Sequence, residues 1–220
     1  PLYLTGVRST IAHNTVTVDG RPMFPYDRDG DSIWAADGER GRDSNGVLEL
    51  FQAEGFFKAC RASNETVYPG IRLDRTLILT DHIVLDLFRV VGAGPHRYDY
   101  AMHILGTPTT ATECLSLVPF REAGYRHLEN VRAIRTPTGV ANLSWETAGG
   151  QLRAVVQAGN GSEFILVDDP VSEKNQALGA IEPMPRPSAL IVRSRGDQAV
   201  FLSAWSMEAH DLDMTVEDGR

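Results

Sequence analysis

At 220 residues, with 42% hydrophobic and 23% charged side chains, the chain has the make-up of an ordinary globular protein and can bury a sizeable core. A formal net charge of −8 argues against nucleic acid as a partner, because phosphate binding needs concentrated Lys and Arg; a locally basic cleft for an acidic polysaccharide stays open. No apolar run approaches the ~20 residues that span a bilayer, and Cys60 and Cys114 form neither a CxxC metal pair nor a disulfide framework.

Taken in order, the elements are strands. Val47 to Arg61 reads as extended chain interrupted at Gly55. Arg72 to Leu79 and Ile83 to Val91 flank Thr80-Asp81-His82, a natural hairpin, and the second strand is apolar on both faces apart from Asp86 and Arg89, as a central strand should be. A turn is expected at Gly92-Ala93-Gly94-Pro95. Ala141 to Thr147 alternates, with Leu143 and Trp145 facing one way; Gly149-Gly150 turns into Gln151 to Ala158, and Asn160-Gly161 turns into Glu163 to Val167. Ala189 to Arg193 and Ala199 to Ser206 are expected to form a last hairpin around Arg195-Gly196-Asp197. Arg21 to Asn45 and Ser172 to Ser188 read as loops, the first anchored by Trp34. Many short strands at close spacing predict an all-β fold, an antiparallel multi-stranded β-sandwich, in one domain over 1–220.

The segment Arg8-Ser9-Thr10-Ile11-Ala12-His13-Asn14-Thr15-Val16-Thr17-Val18-Asp19-Gly20 carries the most chemistry. If it is a regular strand, Asn14, Val16 and Val18 share one face and His13, Thr15 and Thr17 the other. With the valines in the core, His13 is aimed at a surface or cleft, where a neutral imidazole can bind a divalent metal. Spacing alone favours a half-exposed strand histidine, since one histidine is not a metal site.

Residues 9–20 resemble the Ser-Thr-x-Ala-His-Asn-Thr-Val-x-Val-Asp-Gly signature of the heparinase II/III-like polysaccharide lyases. A second run, His96-Arg97-Tyr98-Asp99-Tyr100-Ala101-Met102-His103-Ile104-Leu105-Gly106, is similar to that family's His-x-Tyr-Asp-x-x-x-His-x-x-Gly stretch. The resemblance implies a C-terminal β-sandwich whose partner is an N-terminal helical toroid of the same protein, absent from this chain. It implies a lyase acting on an acidic polysaccharide, alginate or a glycosaminoglycan, in the periplasm or outside the cell. It makes His13 one ligand of a divalent metal, zinc in family members that have one, with the other ligands and the acid–base residues upstream of Pro1. The chain starts at Pro1 with no signal peptide, as a piece of a longer protein would, and the isolated 220 residues are expected to be inactive.

On strand alternation His96 and His103 fall on opposite faces, poorly placed as joint ligands. His96, beside the turn, is the candidate for substrate binding; Tyr98, Tyr100 and His103 read as structural. The competing function is a non-catalytic carbohydrate-binding or structural sandwich, for which Trp34, Trp145 and Trp205 are the aromatic candidates, although Trp145 and Trp205 sit where core residues do. Asp27-Arg28-Asp29-Gly30-Asp31 lacks the spacing of an EF-hand, Arg195-Gly196-Asp197 reads as a turn, and the sequons at Asn64, Asn142 and Asn160 match a common pattern.

Overall fold

The computed structural model describes residues 9–23, 45–109, 114–136, 138–170 and 187–208. The loop readings between 24 and 44 and between 172 and 186, with Trp34 and the Asp27–Asp31 run, lie outside them.

Two short segments open the described chain: a 3-10 turn at Thr10–Ala12 and strand β1 (Val16–Val18). Two antiparallel hairpins follow, β2 (Val47–Gln52) with β3 (Lys58–Asn64) and β4 (Ile71–Leu79) with the start of β5 (Val84–Ile104). The Gly55 interruption and the Thr80-Asp81-His82 turn fall where the sequence puts them. Next come β6 (Gly106–Pro108), β7 (Cys114–Ser116), β8 (Glu129–Ile134), β9 (Val140–Thr147), β10 (Gly150–Ala158), β11 (Glu163–Asp168) and β12 (Ser188–Ser206). Among the described residues these make one 12-stranded sheet, antiparallel in every pairing.

Two long strands fold that sheet into a sandwich. Tyr100 donates a hydrogen bond to Asp86, and its ring lies 5.8 Å from that of Phe88, although all three residues belong to β5. A straight strand would put residues 86 and 100 roughly 46 Å apart. β5 therefore doubles back, and Gly92 shows where: a Cβ there would come within 2.8 Å of both the His96 ring and the Tyr98 hydroxyl on the inside of the bend. β12 bends with it, pairing with β5 on both sides of a bulge between Gly196 and Gln198. One layer runs β2-β3-β4-β5-β12-β10-β9-β6, and the other β1-β5-β12-β11-β8-β7.

This corrects one expectation. The segments 189–193 and 199–206 do not pair with each other around Arg195-Gly196-Asp197; each pairs with its own half of β5. The turn residues mark a corner in a continuous strand, because the ladder is carried around the bend rather than reversed at it.

Between the layers lies the main core. Trp145, Tyr98, Tyr100, Phe164, Phe201 and Leu190 are fully buried there, with Tyr100 stacked on Phe201 at 5.2 Å. Leu143 and Trp145 face it together, as their alternation predicts. A smaller core, built on Tyr125, Ile165 and Ile191, closes the outer face of the second layer. No helix among the described residues is long and apolar enough to cross a membrane.

Candidate functional site

The two sequence motifs meet. β1 pairs with β5 in the register Val16↔Tyr100, Thr17↔Asp99 and Val18↔Tyr98, so residues 9–20 lie directly against residues 96–104. Val16 and Val18 point into the main core, as the alternation predicts. The regular strand is shorter than expected, however: Ser9 to Ala12 turn through the 3-10 segment, and His13 follows it as an exposed residue outside β1. Its exposure comes from that turn and not from strand alternation. Thr17, on the face opposite the valines, is buried too at 1% exposed, because Tyr125 and its neighbours cover the second layer from outside.

Each end of β1 is pinned to the second motif. At the His13 end, the Asn14 side-chain oxygen accepts the His103 backbone N–H at 2.6 Å, while the Asn14 carbonyl accepts a bond from Arg75 at 2.6 Å. Arg75 is itself held by a two-pronged pair with Asp86, at 3.0 and 2.6 Å. The His103 ring sits between the Ile11 carbonyl, 2.7 Å from Nε2, and the Asp169 carboxyl, 3.0 Å from Nδ1. His103 thus braces the residues on both sides of His13. At the other end, Asp19, with φ of 52°, accepts the Arg97 N–H at 2.9 Å and meets the His96 ring nitrogen Nδ1 at 2.8 Å. Burial works to raise the Asp19 carboxyl, and the bonds from Arg97 and His96 outweigh it, so it is held below its ordinary value.

Beneath β1 lies a buried ionic cluster. Asp99, fully buried, accepts two bonds from Arg193 at 2.8 and 3.0 Å and one from the Tyr125 hydroxyl at 2.7 Å. Burial, and then the Asp99 charge, push the Tyr125 hydroxyl far above its ordinary range, so it stays a donor. Tyr100 is raised for the same two reasons, with Asp86 as its partner. Tyr98 and Tyr100 are thus buried, hydrogen-bonded core residues.

His13 and His96 do not converge. The β5 positions they neighbour, 103 and 96, are separated by roughly 20 Å of strand. His96 is half-buried. Among the described residues, no group of three or more His, Cys, Asp or Glu side chains is placed to hold a metal ion. The described residues alone therefore do not complete a zinc site. Sequence reasoning missed Arg75, Asp99, Asp169 and Arg193. One signal was present, since a charged residue inside an apolar strand, as at Asp86, needs a buried partner.

No protein-family model matches the sequence, and no curated protein does. Solved structures do match in fold. A heparinase III gene product superposes with a TM-score of 0.50 at 12% identity, over 90% of this chain and 24% of its own. A second heparinase III gives 0.50 at 9% identity with the same coverage. Heparan sulfate lyase HepC from Pedobacter heparinus gives 0.47 at 9% identity, over 93% of this chain and 25% of its own. The chain is thus a distant fold relative of heparinase III, spanning about a quarter of the length of those structures.

Proposed function

We propose that this chain is the β-sandwich part of a polysaccharide lyase that cleaves a uronate-containing polymer, alginate or a glycosaminoglycan, by β-elimination. The observation that carries the reading is the pairing of the two motifs, which exposes His13 on a segment braced from both sides by Arg75, Asn14 and His103. The heparinase III fold agrees with it.

Breaking the bond at C4 of a uronate requires removal of the C5 proton, neutralisation of the neighbouring carboxylate, and an acid for the leaving oxygen. None of the described residues is assigned to those steps. The resemblance places them in a toroid domain preceding the sandwich. The sandwich supplies a cleft wall, with His13 as one ligand of a divalent metal, zinc by resemblance, and His96 as a contact to the polymer. When bound, the metal would supply a fixed positive charge. The chain's own part is to hold the His13 backbone rigid. A periplasmic or extracellular location follows from the same reading.

The test is made on the protein carrying its native sequence upstream of Pro1. Absorbance from unsaturated uronates is followed with alginate, heparin and heparan sulfate, and metal content is measured beside His13→Ala. Product from one polymer and metal loss on substitution support the reading. No product from any of the three overturns the lyase assignment, and unchanged metal content overturns the role of His13. The 220 residues alone are expected to release no unsaturated product.

A further inference from the structure

The first layer extends sideways beyond the second. Its inner face over β2, β3 and β4 carries Leu48, Phe51, Leu77 and Leu79, all exposed, together with Arg75. At one end of this face, where the β4–β5 turn meets the end of β12, there is a cleft of about 260 Å³ lined by Trp205, Leu152, Val84, Asp81, His82 and Glu208.

Its floor is the Trp205 indole, half-buried and fixed in orientation. The fully buried Trp145 ring lies 5.7 Å from it at an interplanar angle of 31°, and the Trp205 Nε1–H donates to Ser203 Oγ at 2.7 Å. Leu152 and Val84 flank it. The rim is polar and cross-linked: His82 Nδ1 meets Glu208 Oε1 at 2.5 Å, and Ser206 Oγ donates to the His82 carbonyl at 2.9 Å. A rigid aromatic plane inside a ring of donors and acceptors is the surface a pyranose fits, with its C–H face on the indole and its hydroxyls at the edge. The volume, just below the ~300 Å³ where ligand pockets ordinarily begin, suits one sugar ring. Asp81 and Glu208 make the rim acidic, which disfavours a carboxylate or sulfate there.

We infer that the Trp205 cleft is a subsite for a single uncharged pyranose. It lies on the same sheet face as Arg75, whose partner is the Asn14 carbonyl, four residues along β4 and two strands across, or roughly 16 Å away. On the reading under "Proposed function", an alternating polymer places an acidic unit beside the His13 segment and an uncharged one over Trp205. Binding of a free sugar does not depend on that reading.

The experiment titrates the 220-residue chain with N,N′-diacetylchitobiose and cellobiose as uncharged probes and with digalacturonate as the acidic one. The indole N–H signal of Trp205, identified by its loss in Trp205→Phe, is followed by NMR. A saturable shift with one uncharged disaccharide in the millimolar range, at least about tenfold weaker with digalacturonate, supports the subsite. Glu208→Gln, at a surface side chain, should bring the two classes within about threefold while the fold is kept. An unmoved Trp205 signal with both uncharged sugars overturns the inference, as does equal binding of the acid. Lyase activity can fail without affecting this result, and the reverse also holds.

Discussion

Replacing Asp99 by Ala removes the centre of the buried cluster under β1. Asp99 is fully buried and accepts three hydrogen bonds, two from Arg193 and one from Tyr125. Without it, Arg193 keeps Glu163 at 4.0 Å and the face of Phe120 at 5.5 Å, neither of which replaces a two-pronged carboxylate. Removing one partner of a buried pair costs about 3–5 kcal/mol, because the remaining charge stays in a poor solvent. For a domain of this size that lowers Tm by roughly 10 °C. The assay is urea unfolding followed by circular dichroism, on Asp99→Ala, Arg193→Ala, these two combined, and the double variant Asp99→Leu with Arg193→Met. Most of the lost stability should return in the Leu/Met variant, since it removes both charges and fills the space. A loss below about 1 kcal/mol for Asp99→Ala would falsify the argument. So would losses for Asp99→Ala and Arg193→Ala that simply add when combined, because partners in one network must couple.

Acid should destabilise the fold through depressed carboxyls. Asp74 is lowered chiefly by its bond from Arg61, while in Asp19 and Glu122 burial is outweighed by bonds that include Arg97. Their stabilisation is complete above the ordinary values of 3.8 and 4.5 and is lost as pH falls through the lowered ones. The urea midpoint should stay level from neutral pH down to about 5 and then drop, with a smaller drop in Asp19→Asn; an unchanged profile in that variant refutes the Asp19 part. Gly20→Ala and Gly70→Ala share a left-handed backbone, with φ of 69° and 78°, worth about 1 kcal/mol each. At Gly20 the new Cβ also meets Arg97 Nη2 at 2.3 Å, whereas nothing lies within 4 Å at Gly70, so Gly20→Ala should cost about 1 kcal/mol more. Equal losses would mean that Arg97 simply swings aside. Asn14→Ala should speed hydrogen exchange at the His103 amide while leaving that of Tyr100 unchanged, and equal acceleration at both would point to loss of β1 as a whole.

Much of the fold was legible from residue order alone. Alternation placed Leu143 and Trp145, and Val16 and Val18, in the core, because a strand shows alternate residues to one face whatever its neighbours are. Short turn signals set the hairpins at Thr80-Asp81-His82 and at Gly149-Gly150, and Gly55 marked an interruption that the structure shows to be a third. The resemblance at residues 9–20 pointed to a β-sandwich of the heparinase II/III-like kind, and the heparinase III structures agree with that at the level of architecture.

The tertiary structure decided the rest, for one physical reason: partners far apart in sequence leave no local trace. Turn residues at Gly92 to Pro95 and at Gly196 look the same whether a chain reverses into a hairpin or two strands bend together. Only the pairing of β5 with β12 along both halves shows the bend. His13 is exposed because a 3-10 turn precedes it, which strand periodicity could not show. Asp99 with Arg193, Asn14 with His103 and Asp19 with His96 are separated by 94, 89 and 77 positions; the first pair met only when β12 was laid against β5, and the other two only when β1 was.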